Sequence, residues 1–175
     1  MEQTKWFDRK FDFSFTQNIF PSIIERLAGT PARLEEKIKS IPAGVLTESV
    51  DGSWTINENI GHLIDLEPLW QGRLDDIVSG IKEMRPADLQ NKKTYMANHN
   101  AVPVEALLKN FRQIRMQNVD RLEQLSPEQV FLTALHPRLK TPMRIMDLYL
   151  FVAEHDDHHL ARITGLIKII NKKTK

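Results

Sequence analysis

Apolar residues recur at helical rather than strand spacing along most of the chain. A first helical stretch runs from about Gln17 to Leu27, with Pro21 near its start, and is expected to break at Gly29. Thr30-Pro31 then has the form of an N-cap with proline at the first helical position and opens a helix to about Ile41. Pro42 to Asp51 reads as a loop. The strongest start signal follows, because Thr55-Ile56-Asn57-Glu58 has capping-box spacing. From there Ile60, Leu63, Ile64, Leu66, Trp70, Leu74, Ile77 and Val78 carry a helix to about Gly80, with Pro68 predicting a kink or an interruption. Residues 81–102 form a long connection with room for a short helix. Pro103 opens a helix through Leu107, Phe111, Ile114, Val119 and Leu122 to about Leu125, and Ser126-Pro127-Glu128-Gln129 caps a short turn. After a loop from His136 to Pro142, the last helix runs from about Met143 to Asn171. Four substantial helices with long links predict an all-α four-helix bundle, organised as a single domain over residues 1–175.

The balance of 24 basic against 23 acidic residues argues against a general polyanion binder, so no nucleic acid is expected as a partner. The basic cluster Lys172, Lys173 and Lys175 reads as a solvated tail. No apolar run approaches a membrane span, and Met1 to Lys10 is mixed and charged, unlike a secretory signal. The expectation is a cytoplasmic protein with no membrane partner. Cysteine is absent, which excludes disulfides, thiolate zinc sites and a cysteine nucleophile. Any metal here must be held mainly by nitrogen and oxygen.

Against that background, His155-Asp156-Asp157-His158-His159 stands out. His155 and His159 are four residues apart, so on a helix they stack on one face with Cβ atoms about 6 Å apart. Leu148, Val152, Ile163 and Leu166 share that face, so the pair interrupts a stripe that would otherwise be core. Two imidazoles buried among aliphatic side chains need partners for their nitrogens, and one metal ion satisfies both. A catalytic mononuclear zinc site takes three protein ligands and keeps one position open. His62 is the best candidate for the third, since it too sits within an amphipathic helix. His99 and His136 fall in predicted connections and are weaker, and His158 is turned by about 60° from His155 towards the flank.

Glu58 and Asp65 lie four before and three after His62, placed to orient its second nitrogen or to act as acid or base. Arg162 lies about one turn past His159 and could take an anionic group of a cofactor or substrate. There is no GxSxG, P-loop or GxGxxG, and the Glu-x-x-His pairs of di-iron bundles are missing.

Two segments resemble the DinB/YfiT-like superfamily of metal-binding four-helix bundles. Gly52-Ser53-Trp54-Thr55-Ile56-Asn57-Glu58-Asn59-Ile60-Gly61-His62-Leu63 is similar to that family's Trp-Ser/Thr start of helix two and its His-Leu ligand motif. The stretch from His136-Pro137 through His155 to Ile163 is similar to its closing His-x-x-x-His helix. The resemblance implies His62, His155 and His159 as ligands of a divalent ion, zinc or nickel. It also implies a transferase acting through a low-molecular-weight thiol on a small-molecule substrate, with homodimer formation. A metal-dependent hydrolase and a non-catalytic metal-binding stress-response protein are the alternatives, and a plain helical interaction domain is the third. Arg162 stands where the family often has glutamine, which bears on substrate preference.

Overall fold

Four long helices form a bundle: α1 (Phe20–Ile38), α3 (Ile56–Val78), α5 (Val104–Glu123) and α6 (Ile145–Lys173). A computed structural model describes residues 3–14 and 16–173, so Lys175 of the basic tail lies outside the described residues. Helix α1 packs against α5 and α6, and α3 packs against the same two, so α1 and α3 stand at opposite corners. The links hold short elements: α2 (Ala43–Leu46), α4 (Lys92–Met96) and the hairpin of β1 (Thr133–Leu135) with β2 (Pro142–Arg144), antiparallel with Ala134 opposite Met143.

The Thr55 cap forms as the sequence predicts. Its hydroxyl accepts the Glu58 N–H at 3.1 Å, and the Glu58 carboxylate accepts the Thr55 N–H at 2.8 Å. The Thr55 hydroxyl also donates to Asn100 Oδ1 at 2.7 Å, tying the start of α3 to the connection that follows it. Thr55→Ala is expected to cost about 1–2 kcal/mol, read from the urea midpoint, because both bonds go together.

Three expectations are corrected. The break at Gly29 and the new start at Thr30-Pro31 do not occur, since α1 runs unbroken through Pro31. Leu27, Thr30, Pro31 and Leu34 are all buried on one face, and the Thr30 hydroxyl lies 3.0 Å from the Arg26 carbonyl rather than capping. Packing along the bundle thus overrides a local stop signal. The interruption at Pro68 does not occur either, since α3 continues through it with Pro68 on its exposed side. The 136–142 loop is the turn of a hairpin whose strands are too short for alternation to show.

The buried apolar residues fall into two clusters, one containing Ile23, Leu27, Trp70, Leu74, Val119 and Val152, the other Leu34, Ile60, Leu63, Phe111 and Ile163. Between them every long helix contributes a buried polar residue: Thr30 from α1, Glu67 from α3, Arg115 from α5 and Asp156 from α6. This polar layer lies at the level of the histidines.

Candidate metal centre

His62 on α3 meets His155 and His159 on α6. One nitrogen from each ring lies within 4.8 Å of the others, and all three residues are buried. Ring centroids are 4.6 Å apart for His155 and His159, 4.9 Å for His62 and His159, and 5.3 Å for His62 and His155. Burial holds His62 down to about 4, with Asp65 opposing and His99 adding to the effect. The same desolvation pushes His155 and His159 well below the usual imidazole value, reinforced by the neighbouring histidines. All three are therefore neutral at pH 7, the state in which imidazole is a ligand.

The surrounding hydrogen bonds fix which nitrogen two of the rings offer. Asn59 donates its amide to the carbonyls of Trp54 and Thr55, so its oxygen accepts from His159 Nδ1 at 2.8 Å. Nε2 of His159 then keeps its lone pair. The Thr94 hydroxyl donates to Asp65 Oδ2 at 2.9 Å and so accepts from His62 Nδ1 at 3.1 Å, leaving Nε2 of His62 in the same state. His155 Nδ1 is buried without a hydrogen-bond partner among the described residues. Three neutral nitrogen donors, two of them oriented from behind and one with an orphaned atom, fit a divalent transition ion.

Asp65 thus reaches His62 through Thr94, while its carboxylate also takes His99 Nε2 at 2.9 Å. His99 can lie this close only because residue 61 is glycine: a Cβ there would stand 2.2 Å from the His99 ring. His99 is accordingly spent on Asp65. Glu58 is engaged in the helix cap. Arg162 is exposed at the rim of the cavity, and among the described residues no carboxylate lies within ion-pairing distance of it. His158 is half-buried and contacts the Gln3 amide at 3.0 Å.

The histidines open into a cavity of about 510 Å³ walled by Trp54, Trp70, Leu66 and Phe151. Trp6 closes one side, edge-on to His155 at 4.9 Å, on an N-terminal arm pinned by Arg9 to Glu154 at 2.7 Å. Charged residues at the start of the chain concealed this arm from a reading by periodicity. Its signal was the run of aromatic residues Trp6, Phe7, Phe11 and Phe13 among the charges. The buried trio of Glu67, Arg115 and Asp156 was also missed, although Arg115 interrupts the stripe of Phe111, Val119 and Leu122 much as the histidines interrupt theirs.

Several solved structures share this fold. YfiT from Bacillus subtilis, described as a probable metal-dependent hydrolase with an unusual four-helix bundle topology, aligns with TM-score 0.79 and 22% identity over 93% of this chain and 94% of its own. A protein from Streptococcus pneumoniae aligns with TM-score 0.69 and 14% identity over 89% and 94%. The colibactin self-resistance protein ClbS, solved in complex with double-stranded DNA, aligns with TM-score 0.67 and 17% identity over 88% and 98%. No curated protein matches the sequence at a significant level. The DinB superfamily pattern matches residues 26–163, well over half of the chain and inclusive of all three histidines, and the chain belongs to that superfamily.

Proposed function

We propose that the protein is a metal-dependent enzyme in which His62, His155 and His159 hold one divalent ion, zinc or nickel, that activates a low-molecular-weight thiol for transfer to a small electrophile. The observation that carries this reading is the convergence of three neutral, buried imidazoles on one point in the wall of a largely apolar cavity. The ion supplies Lewis acidity, lowering the pKa of a thiol or water at its open position. The chain's own residues do the rest. Asn59 and Thr94 set the tautomers, and Asp65, through Thr94, is a positioning residue for His62. Trp54 and Trp70 exclude water, and Arg162 at the rim meets an anionic group of the thiol. Cysteine is absent, so the thiol comes from outside the chain.

Hydrolysis is the second reading, favoured by the description of YfiT. Nucleic acid is not excluded by the near-neutral charge, since net charge says nothing of local distribution and ClbS, of the same fold, was solved with duplex DNA.

Elemental analysis of untagged protein is expected to give about one divalent ion per chain, lost in His62→Ala and in His155→Ala/His159→Ala. Zinc at about a hundred times its Kd should raise Tm by about 5–10 °C in the wild type alone. Cobalt-substituted protein titrated with mercaptoethanol separates the two chemistries. A sulfur-to-cobalt charge-transfer band supports the thiol reading; its absence, with turnover of an activated ester in thiol-free buffer, supports hydrolysis. Wild type that takes up no ion sinks both.

A further inference from the structure

The cavity is also lined by Arg73 and Arg138, cations that lack counter-ions among the described residues. Arg73 of α3 is 2% exposed, yet among the described residues its guanidinium bonds only the Arg85 carbonyl, at 3.1 Å, and His136, at 3.1 Å. Arg138, from the β1–β2 turn, has a buried Nη2 without a hydrogen-bond partner among the described residues. Among the described residues neither has a carboxylate within ion-pairing distance. Asp76, whose charge Arg73 feels, is itself held by Arg85 through bonds of 2.7, 2.8 and 2.9 Å.

His136 between them is over-supplied with donors. Its Nδ1 faces the N–H groups of Arg138 and Leu139, at 3.2 and 3.1 Å, while Nε2 faces Arg73 Nη1. Neutral imidazole carries one proton, so in either tautomer a donor is left facing N–H. What this corner lacks is an acceptor with negative charge. Burial lowers Arg73 to about 10, with Arg138 adding to that, a repulsion that an anion would relieve.

We propose that Arg73, Arg138 and His136 form an anion subsite in the same cavity as the histidine triad, taking the carboxylate or phosphate of a substrate whose apolar body lies on Trp70 and Phe151. The spacing suits such a ligand. Arg73 lies 5.5 Å over the Trp70 ring, Trp70 is 6.0 Å from His155, and Phe151 lies 5.4 Å from His136. An anchored anion therefore places an apolar linker along one indole and its reactive end at the triad. This assignment deepens the enzymatic reading and rests on it for the reactive end, but the anion subsite itself needs no metal.

The test is binding of phenylbutyrate, phenylpropyl phosphate and neutral phenylbutyramide, followed by quenching of cavity tryptophan fluorescence, with zinc-loaded and metal-free protein. At least one anion is expected to bind about tenfold more tightly than the amide in both metal states, the gain of a charge-assisted hydrogen bond. Whichever anion gains identifies the group. Arg138→Gln should abolish that preference while leaving amide binding, zinc content and Tm unchanged or Tm raised. A residue of merely structural importance would lower Tm instead. Arg73→Gln should act in the same way on binding, but Arg138→Gln decides, because Arg73 bonds the Arg85 carbonyl and His136 whereas the Arg138 guanidinium rests on the Phe7 ring at 5.1 Å. Equal binding of acid and amide overturns the proposal, as does a preference that vanishes with the metal or survives Arg138→Gln. If the wild type binds no zinc but keeps the preference, the metal reading falls and the subsite stands.

Discussion

Replacing Arg115 with methionine is expected to destabilise the protein by about 3–5 kcal/mol, the range for removing one partner of a buried ion pair. Arg115 is 1% exposed and serves two carboxylates, Glu67 and Asp156, both 0% exposed. It donates from Nε to Glu67 at 2.8 Å and from Nη2 to Asp156 at 3.1 Å, with further bonds from Nη1 to Asp156 and Nη2 to Glu67. Thr30 donates to Asp156 at 2.9 Å and Asn118 to Glu67 at 3.2 Å, so the network joins all four long helices. Methionine fills the volume and leaves two carboxylates facing each other without a cation. Urea denaturation at pH 7 measures the loss. Adding Glu67→Gln to Arg115→Met should recover part of it, because one of the stranded charges is removed. A loss below about 1 kcal/mol would show that the carboxylates do not depend on Arg115.

The same network bears on the site, because Asp156 is the neighbour of His155. Holding Asp156 between α1 and α5 fixes the rotation of α6 that turns His155 and His159 towards His62. Arg115→Met is therefore expected to weaken ion binding as well as the fold.

How much of this could be read from residues alone depends on the kind of signal. The bundle was legible because amphipathic stripes of α3, α5 and α6 persist over several turns and Thr55 supplies a local cap. The two histidines of α6 were legible because polar residues interrupt such a stripe at i, i+4 spacing. His62 was singled out for the same reason, and its meeting with α6 is a product of tertiary packing. The unbroken α1 was not legible, since Gly29, Thr30 and Pro31 are local stop signals that burial of Leu27 and Leu34 overrides. Nor was the relay from His62 through Thr94 to Asp65 and His99, whose members lie as far apart as 29 and 34 residues from Asp65. The hairpin strands are three residues each, too short for period-two alternation to register. The cationic corner could have been found from His136-Pro137-Arg138 only by knowing that the β1–β2 turn folds back beside Arg73.

The second large effect is expected when metal-free protein is acidified. Burial holds His62 at about 4 and His155 and His159 well below the usual value, whereas in the unfolded chain all three titrate near 6.5. Below pH 6.5 the unfolded state therefore binds more protons than the native state, and stability falls as pH falls. Each imidazole contributes up to about 1.4 kcal/mol per pH unit across that window, so the three together approach about 4 kcal/mol per unit. His136, held at about 3 by burial and by Arg73 and Arg138, acts in the same direction. Glu67 acts the other way, because burial raises its carboxyl, and trims the slope. For a domain of ordinary stability, about 5–15 kcal/mol, this places acid unfolding of the metal-free protein between about pH 3 and 5. A bound ion changes the outcome, since protons must displace it before the imidazoles can charge. Circular dichroism against pH, in chelator and in zinc, reads both effects. The zinc curve should lie at lower pH in the wild type and coincide with the chelator curve in His155→Ala/His159→Ala. Wild-type curves that coincide would mean that the triad binds no ion, and metal-free protein still folded below about pH 3 would mean that its histidines are protonated at little cost.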